Sequence, residues 1–441
     1  MERYEAYKHS GVDWIGEIPE GWELRKLKLL GSTRSGMGNK KPDDFGTGRP
    51  FLSYKDVYSR ESFTSATGLV ESTSDDLERY SVFRGDAFFT GSSETIEELG
   101  FSSVCLATIP EATFNGFTIR FRPYGGDLHP EFAAYLFRSD VFRGYLRQRD
   151  NSITRANLSQ QILGDALAVL PTLDEQFCIA GYLDAKTAEI DALVTDCERE
   201  VDLLQEYRKA VLSEAVTKGL DPDAPMKDSG IEWIGEIPDD WEVVGFKTYL
   251  NGIIDYRGRT PEKVDDGVFL ITGRNIKQGR IHYELSQEYM RPEDFDKIMG
   301  RGRLKVGNVL FTMEAPLGEV ALIDRDDCAA AQRIIQLCCN EEELLGAFLV
   351  YWIMSDEFQS DLQTYATGST ASGIKASKLG MLRLIHPPME TQHSIVDYLD
   401  TKTAEIDALI DAKRSMADKL REYRRSLISE AVTGKFKVPG V

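Results

Sequence analysis

Cysteine, histidine and unbroken apolar sequence are all scarce here, and positive charge is outweighed by negative. Six cysteines in 441 residues (Cys105, Cys178, Cys197, Cys328, Cys338, Cys339), with no C-x-x-C pair, exclude a disulfide scaffold and offer no zinc-cluster spacing. They read as small buried hydrophobes in a reducing compartment. The five histidines (His9, His129, His282, His386, His393) form no metal-ligand spacing. No stretch approaches 18 apolar residues, and Met1–Glu5 has no apolar core of a leader, so neither a membrane span nor a signal peptide is expected. The expectation is a soluble, cytoplasmic chain. Its 52 basic residues face 72 acidic ones, a net charge of −20. Taken as a sum, that argues against nucleic acid. The length suggests about three domains, enough for more than one core.

Catalytic patterns are also missing. No G-x-x-x-x-G-K-[ST] is present, no G-x-G-x-x-G follows a strand, and neither G-x-S-x-G nor H-E-x-x-H occurs. His386-Pro387-Pro388-Met389 has a faint likeness to the N-P-P-aromatic loop of amino-methyltransferases. It lacks both the residue that would hold the amine and the aromatic that would stack on the base; its prolines read as the opening of a helix. Pro42-Asp43-Asp44 with Lys55 could be forced into a nuclease pattern, but the second half of the chain does not repeat it.

What is present is a duplication. Ser10-Gly11-Val12-Asp13-Trp14-Ile15-Gly16-Glu17-Ile18-Pro19 returns as Ser229-Gly230-Ile231-Glu232-Trp233-Ile234-Gly235-Glu236-Ile237-Pro238, offset by 219. Tyr182–Thr217 returns as Tyr398–Thr433 at offset 216, with 21 identities in 36 positions. A period near 217 is too long for a solenoid.

The second repeated block is helical. Seven-residue steps run through Leu183, Ile190, Cys197, Leu204 and Val211, with companions at Val194 and Val201; the second copy has Leu399, Ile406, Leu420 and Leu427, with Ile410. Pro171 and Pro387-Pro388 precede the helices, and Gly219 and Gly434 follow them. Thirty-six residues span roughly 54 Å. One narrow apolar stripe per helix is economically covered if the two helices pack antiparallel on each other. The alternative is that each helix belongs to its own globular domain.

Between the repeated blocks lie two dissimilar segments that look mixed α/β. Phe51–Tyr54, Phe269–Thr272, Asp86–Thr90 and Asn308–Thr312 read as strands, and Pro130–Tyr145 and Leu344–Leu362 as helices. Phe51-Leu52 is matched with Phe269-Leu270, and Tyr54 with Thr272. The organisation expected is a lead-in (1–21), a first variable domain (22–170), a helix (171–220), a linker repeating the lead-in (221–240), a second variable domain (241–386), and a second helix with its tail (387–441).

Two unlike domains on two like helices, without catalytic residues, resemble the specificity subunit (HsdS) of type I restriction–modification systems. The motifs that carry the resemblance are Gly-Val-Asp-Trp-Ile-Gly-Glu-Ile-Pro-Glu-Gly-Trp (11–22), its echo at 230–241, Leu-Asp-Glu-Gln (173–176), and Lys-Thr-Ala-Glu-Ile-Asp-Ala-Leu at 186–193 and 402–409. The second copy departs from the family-like pattern with Met389-Glu390-Thr391-Gln392. The resemblance implies two target recognition domains, each reading one half of a split double-stranded DNA site. It also implies a helical spacer that sets their separation and docks the modification subunits. Those partners would carry S-adenosylmethionine and methylate adenine N6, and restriction subunits would add ATP and Mg-dependent translocation and cleavage. The chain itself would be a non-catalytic reader holding no cofactor or metal. A competing reading, compatible with the heptads and the acidity, is a coiled-coil scaffold joining two ligand- or protein-binding domains.

Candidate DNA contacts in the first domain are Lys40, Lys41, Arg49, Tyr54, Lys55, Arg120, Arg122 and Arg155, with Arg147-Gln148-Arg149 as a further basic cluster. In the second they are Arg257, Arg259, Thr272, Arg274, Asn275, Arg301, Arg303, Gln332, Arg333 and Lys375. Arg and Lys suit guanine O6/N7, and Asn and Gln suit adenine N6/N7. The distribution of charge revises the sum. Residues 22–170 hold 18 basic and 19 acidic side chains, and 241–386 hold 17 and 21. Residues 171–240 hold 6 and 18, over half of the whole deficit. The variable domains are nearly neutral, and the acidity sits where protein partners are expected.

Overall fold

The computed structural model describes residues 2–38, 40–149, 156–256, 258, 261–367 and 373–441. The chain forms two compact units, Met1–Glu198 with Ser415–Val441, and Arg199–Arg414. Each unit therefore takes one variable domain and half of each long helix.

The long helices run Leu173–Lys218 and Met389–Val432. At 1.5 Å per residue, their 46 and 44 residues measure roughly 70 Å and 65 Å. In the first unit, Arg424 pairs with Asp191 (3.0 Å) and Arg421 with Glu198. In the second, Arg208 pairs with Asp407 (2.9 Å) and Lys413 with Glu200. One number rises as the other falls, so the helices are antiparallel in both units. The heptad positions follow: Leu183, Ile190, Val201, Val211, Leu399, Ile406, Ile410 and Leu427 are buried, and Val194, Leu204 and Leu420 half-buried. Val201, Leu204, Ile406 and Ile410 form a small cluster of their own. Elsewhere the stripes join the domain cores, so both expectations for the helices are partly realised: they pair, and each also serves a globular unit.

The repeated lead-ins explain how. Gly219 (φ +78°) ends the first helix, and a Cβ there would lie 3.2 Å from Trp241 in the second lead-in. Gly434 (φ +68°) ends the second helix, and a Cβ there would lie 2.5 Å from Pro19 in the first. The left-handed turn suits glycine at both ends, and at Gly434 the contact leaves no room for a Cβ. Each lead-in thus caps the helix of the other copy. Lys435 adds a clamp, its Nζ donating to the carbonyls of Ile15 (2.7 Å) and Glu17 (2.6 Å).

In the first unit a five-stranded sheet has the order Gly31–Ser35, Thr118–Pro123, Ala87–Thr90, Ser102–Cys105, Ser62–Phe63. In the second, a four-stranded sheet has the order Leu250–Asp255, Ile334–Cys339, Val309–Met313, Leu317–Leu322. The helix expected over Pro130–Tyr145 is two helices, Pro130–Arg138 and Asp140–Arg149. Extended Ser139 interrupts it, and its Oγ accepts from the N–H of Phe142 (3.3 Å). Ser355 interrupts Gly346–Met354 and Asp356–Thr364 in the same way. The strand expected at Phe51–Tyr54 ends at Leu52, and Tyr54 opens the helix Tyr54–Ser59. No helix among the described residues is long and apolar enough to cross a membrane.

Gln176 and Gln392 bolt each domain to its helix. Both are fully buried. Gln176 accepts from the N–H of His129 (2.8 Å) and donates to the carbonyls of Asp127 and Pro171 (both 3.0 Å). Gln392 accepts from Leu345 (2.9 Å) and donates to Glu343 and Pro387 (both 2.9 Å). The glutamine shared by the two otherwise different four-residue motifs plays the same part in both.

Candidate nucleic-acid interface

Hydrogen-bond patterns align the two domains more finely than sequence identity does. Phe51 and Leu52 pair in parallel with Thr113 and Phe114; Leu270 and Ile271 pair in parallel with Ala329 and Ala330. Phe51 is therefore equivalent to Leu270, and Ser53 to Thr272, one residue off the match made on Phe-Leu identity. Ser53 N–H and Oγ both donate to Asp56 Oδ2 (3.0 and 2.8 Å), and Thr272 N–H and Oγ1 both donate to Asn275 Oδ1 (2.9 and 2.8 Å). In this register Lys55 falls on Arg274. Both are exposed, and neither side chain has a polar partner among the described residues.

The same alignment fixes a second position. Gly91 N–H donates to the Phe117 carbonyl (2.8 Å), and Met313 N–H to the Arg333 carbonyl (2.9 Å). Leu158 N–H donates to Gly91, and Ile374 N–H to Met313 (2.9 and 3.0 Å). Phe117 and Arg333 are thus equivalent, and both are exposed. Tyr54 Oη donates to the Ser92 carbonyl (2.8 Å), and a Cβ on Gly273 would lie 3.5 Å from Pro316, so the residues that precede Lys55 and Arg274 lie against the segments that follow Gly91 and Met313, the partners of Phe117 and Arg333. Ala315 (φ +44°) and Arg333 (φ +82°) are non-glycine residues in left-handed backbone here. Such conformations cost of order 1–3 kcal/mol and cluster at functional sites. Arg333 is oriented by Glu314 (3.3 Å).

The remaining sequence candidates divide by what already holds them. Asn275 is fully buried: its Nδ2 donates to the carbonyls of His282 (2.9 Å) and Ser286 (2.8 Å), and its Oδ1 braces Thr272. Its amide is committed within the fold, so Arg274 rather than Asn275 presents a group outward. Arg120 is buried with its Nη1 on the Ser81 carbonyl (2.7 Å); burial pushes its pKa down to about 10. Arg122 makes a fork to both Asp86 oxygens (2.6 Å each). Lys40 is taken by Asp76 (3.0 Å) and the Glu71 carbonyl. On the surface, Arg49 pairs with Glu111, Arg147 with Asp140 (3.0 Å) and Arg303 with Asp296 (2.7 Å). Arg301 donates to the Asp255 carbonyl, and Arg149 lies over the Tyr145 ring. Lys41 and Lys375 are exposed, Gln332 half-buried. Arg155, Arg257 and Arg259 lie outside the described residues. Charge counting missed Phe117, although an Asn-Gly turn running straight into an aromatic was its signal.

No metal-binding cluster occurs among the described residues. His386, beside the Pro387-Pro388 pair, is buried structure: its Nε2 lies 2.8 Å from the Glu343 carbonyl and its ring stacks on Tyr249 at 3.9 Å. The prolines lead directly into the helix at Met389, as expected.

Comparison with known proteins agrees with this architecture. Residues 239–415 match the type I restriction modification DNA specificity domain. A Methanocaldococcus jannaschii protein described as the type I restriction enzyme MjaX specificity subunit is 26% identical over 96% of both chains. The EcoBI specificity subunit of Escherichia coli is 24% identical over 66% of this chain and 64% of its own. Among solved structures, a chain from a type I R–M system described for its complex assembly and conformational transition superposes with a TM-score of 0.72 at 16% identity, covering 95% of this chain and 99% of that one. The HsdS subunit of Thermoanaerobacter tengcongensis does so with a TM-score of 0.55 at 17% identity, over 95% and 98%. Duplicated helices, unlike domains between them and these likenesses converge: the second half of the chain matches the type I DNA specificity domain, and the chain as a whole is similar to type I restriction–modification specificity subunits.

Proposed function

We propose that this chain is the DNA-reading subunit of a type I restriction–modification complex, each variable domain reading one half of a split site. The observation that carries the reading is the coincidence of an open cation, Lys55 and Arg274, at one equivalent position in two otherwise different domains. A repeated edge with a repeated cation is what a reader of two half-sites needs, since phosphate contacts position while base-edge contacts specify. Two short readings multiply in specificity because each mismatch costs roughly 1–3 kcal/mol.

The paired helices set the separation of the half-sites and dock methyltransferase subunits, to which the acidity of residues 171–240 is suited. The chain is non-catalytic: methyl donor, ATP and Mg belong to its partners, which methylate adenine N6 and, where a restriction subunit is present, cleave. The nearly neutral recognition domains give modest DNA affinity alone, and the partners supply most of the electrostatic grip. The complex works in the cytoplasm. Methylation-aware sequencing of DNA from cells expressing this chain with its methyltransferase subunit tests the reading. A split motif methylated at adenine in both halves is expected; a continuous motif, or none, would refute it.

A further inference from the structure

Phe117 is 70% exposed on a turn whose backbone is fixed from three sides. Its N–H donates to Asn115 Oδ1 (2.7 Å), its carbonyl accepts from Gly91 (2.8 Å), and Thr118 Oγ1 donates to the Asn115 carbonyl (2.7 Å). Glycine is required around it: a Cβ on Gly36 would lie 2.2 Å from the Asn115 oxygen, on Gly91 2.9 Å from the Phe117 oxygen, and on Gly116 2.5 Å from the Met37 oxygen. The turn is therefore locked while its ring is left in water. A large apolar side chain held in solvent offers apolar area that a partner surface can cover. The equivalent position in the second domain carries Arg333, a guanidinium oriented by Glu314.

The ring has no donor or acceptor, and the apolar feature that base pairs present in the major groove is the thymine methyl. We propose that Phe117 reads a T·A pair in the first half-site by packing on the thymine C5-methyl, and that one scaffold position thereby gives the two domains different readings. This rests on the DNA-reading function above. It adds a specificity determinant that the charge pattern does not contain.

The test is methylation-aware sequencing of cells carrying the whole complex with wild-type chain, Phe117→Ala, Phe117→Leu or Phe117→Arg. Phe117→Ala should make one T·A position of the first half-site degenerate, with methylation at mismatched sites rising about tenfold, and leave the second half as in wild type. Phe117→Leu, still apolar, should keep the thymine, and Phe117→Arg should shift that position toward guanine. A strict motif in all three variants, or uniformly weaker methylation with no degenerate position, would overturn the proposal. If Phe117→Ala does not assemble, the Leu and Arg variants decide alone. A wild-type chain giving no split motif would instead refute the DNA-reading function itself.

Discussion

Tyr135 Oη donates to Asp184 Oδ1 at 2.6 Å, and 216 residues later Tyr351 Oη donates to Asp400 Oδ1 at 2.5 Å. Each bond ties a helix of the variable domain to the long helix beside it. Burial first, and the carboxylate second, raise both phenol pKa values above the ordinary tyrosine value, so both phenols keep their protons at neutrality. Tyr135→Phe and Tyr351→Phe should each cost about 1 kcal/mol, since each removes the hydrogen bond from a buried phenol to an exposed carboxylate. Hydrogen exchange should show the loss in the unit that carries the change. Equal loosening of both units would contradict the assignment.

Arg274 and Asn275, adjacent in sequence, should separate cleanly. Arg274→Ala removes an exposed cation and should leave the unfolding midpoint unchanged while altering the DNA motif. Asn275→Ala removes an amide that holds Thr272, His282 and Ser286 together and should cost about 2–3 kcal/mol. Thermal unfolding of the two variants checks this.

The equivalent residue in the first domain, Asp56, gives a pH dependence that Asn275 cannot. Burial alone would raise its pKa, but hydrogen bonds from Thr67 and Ser53 and the nearby Arg60 hold it below the ordinary value of 3.8. A lowered carboxylate stabilises the fold above its unfolded pKa and loses that contribution as pH falls through the folded value. The stability difference between wild type and Asp56→Asn should therefore be flat above about pH 5 and shrink below about pH 4. Denaturant titrations across that range measure it; a difference that grows on acidification would contradict it.

Helix ends offer a third comparison. Gly434→Ala meets Pro19 and Trp22 within 3 Å, whereas Gly219→Ala meets Trp241 at 3.2 Å. Both carry the strain of a left-handed backbone, about 1 kcal/mol. Gly434→Ala should lower the melting temperature more, because proline cannot yield as a side chain can.

The parts of this molecule governed by local rules were legible in its sequence. The heptads at Leu183–Val211 and Leu399–Leu427, the glycine stops and the proline starts all stand where spacing and capping put them. Ser139 and Ser355 interrupt apolar patterns that periodicity alone would run through, because a serine cap outweighs the pattern. The first domain's alignment with the second slipped by one residue, since Phe-Leu identity is weaker information than the strand pairing of Phe51 and Leu270. Arg120, Arg122, Lys40 and Asn275 looked like DNA ligands because composition does not reveal which polar groups the tertiary fold has already consumed. Phe117 was passed over for the opposite reason: an apolar residue is assumed inside unless the structure exposes it.

The central claim is that two equivalent edges read two separate half-sites, and Lys55 and Arg274 test it most directly. Methylation-aware sequencing should be run on cells carrying the complex with Lys55→Ala or with Arg274→Ala. The expected result is that the first relaxes one half of the split motif, the second relaxes the other, and neither changes the gap between them. If either substitution altered both halves, or both altered the same half, the equivalence of the two edges would not describe how this protein reads DNA.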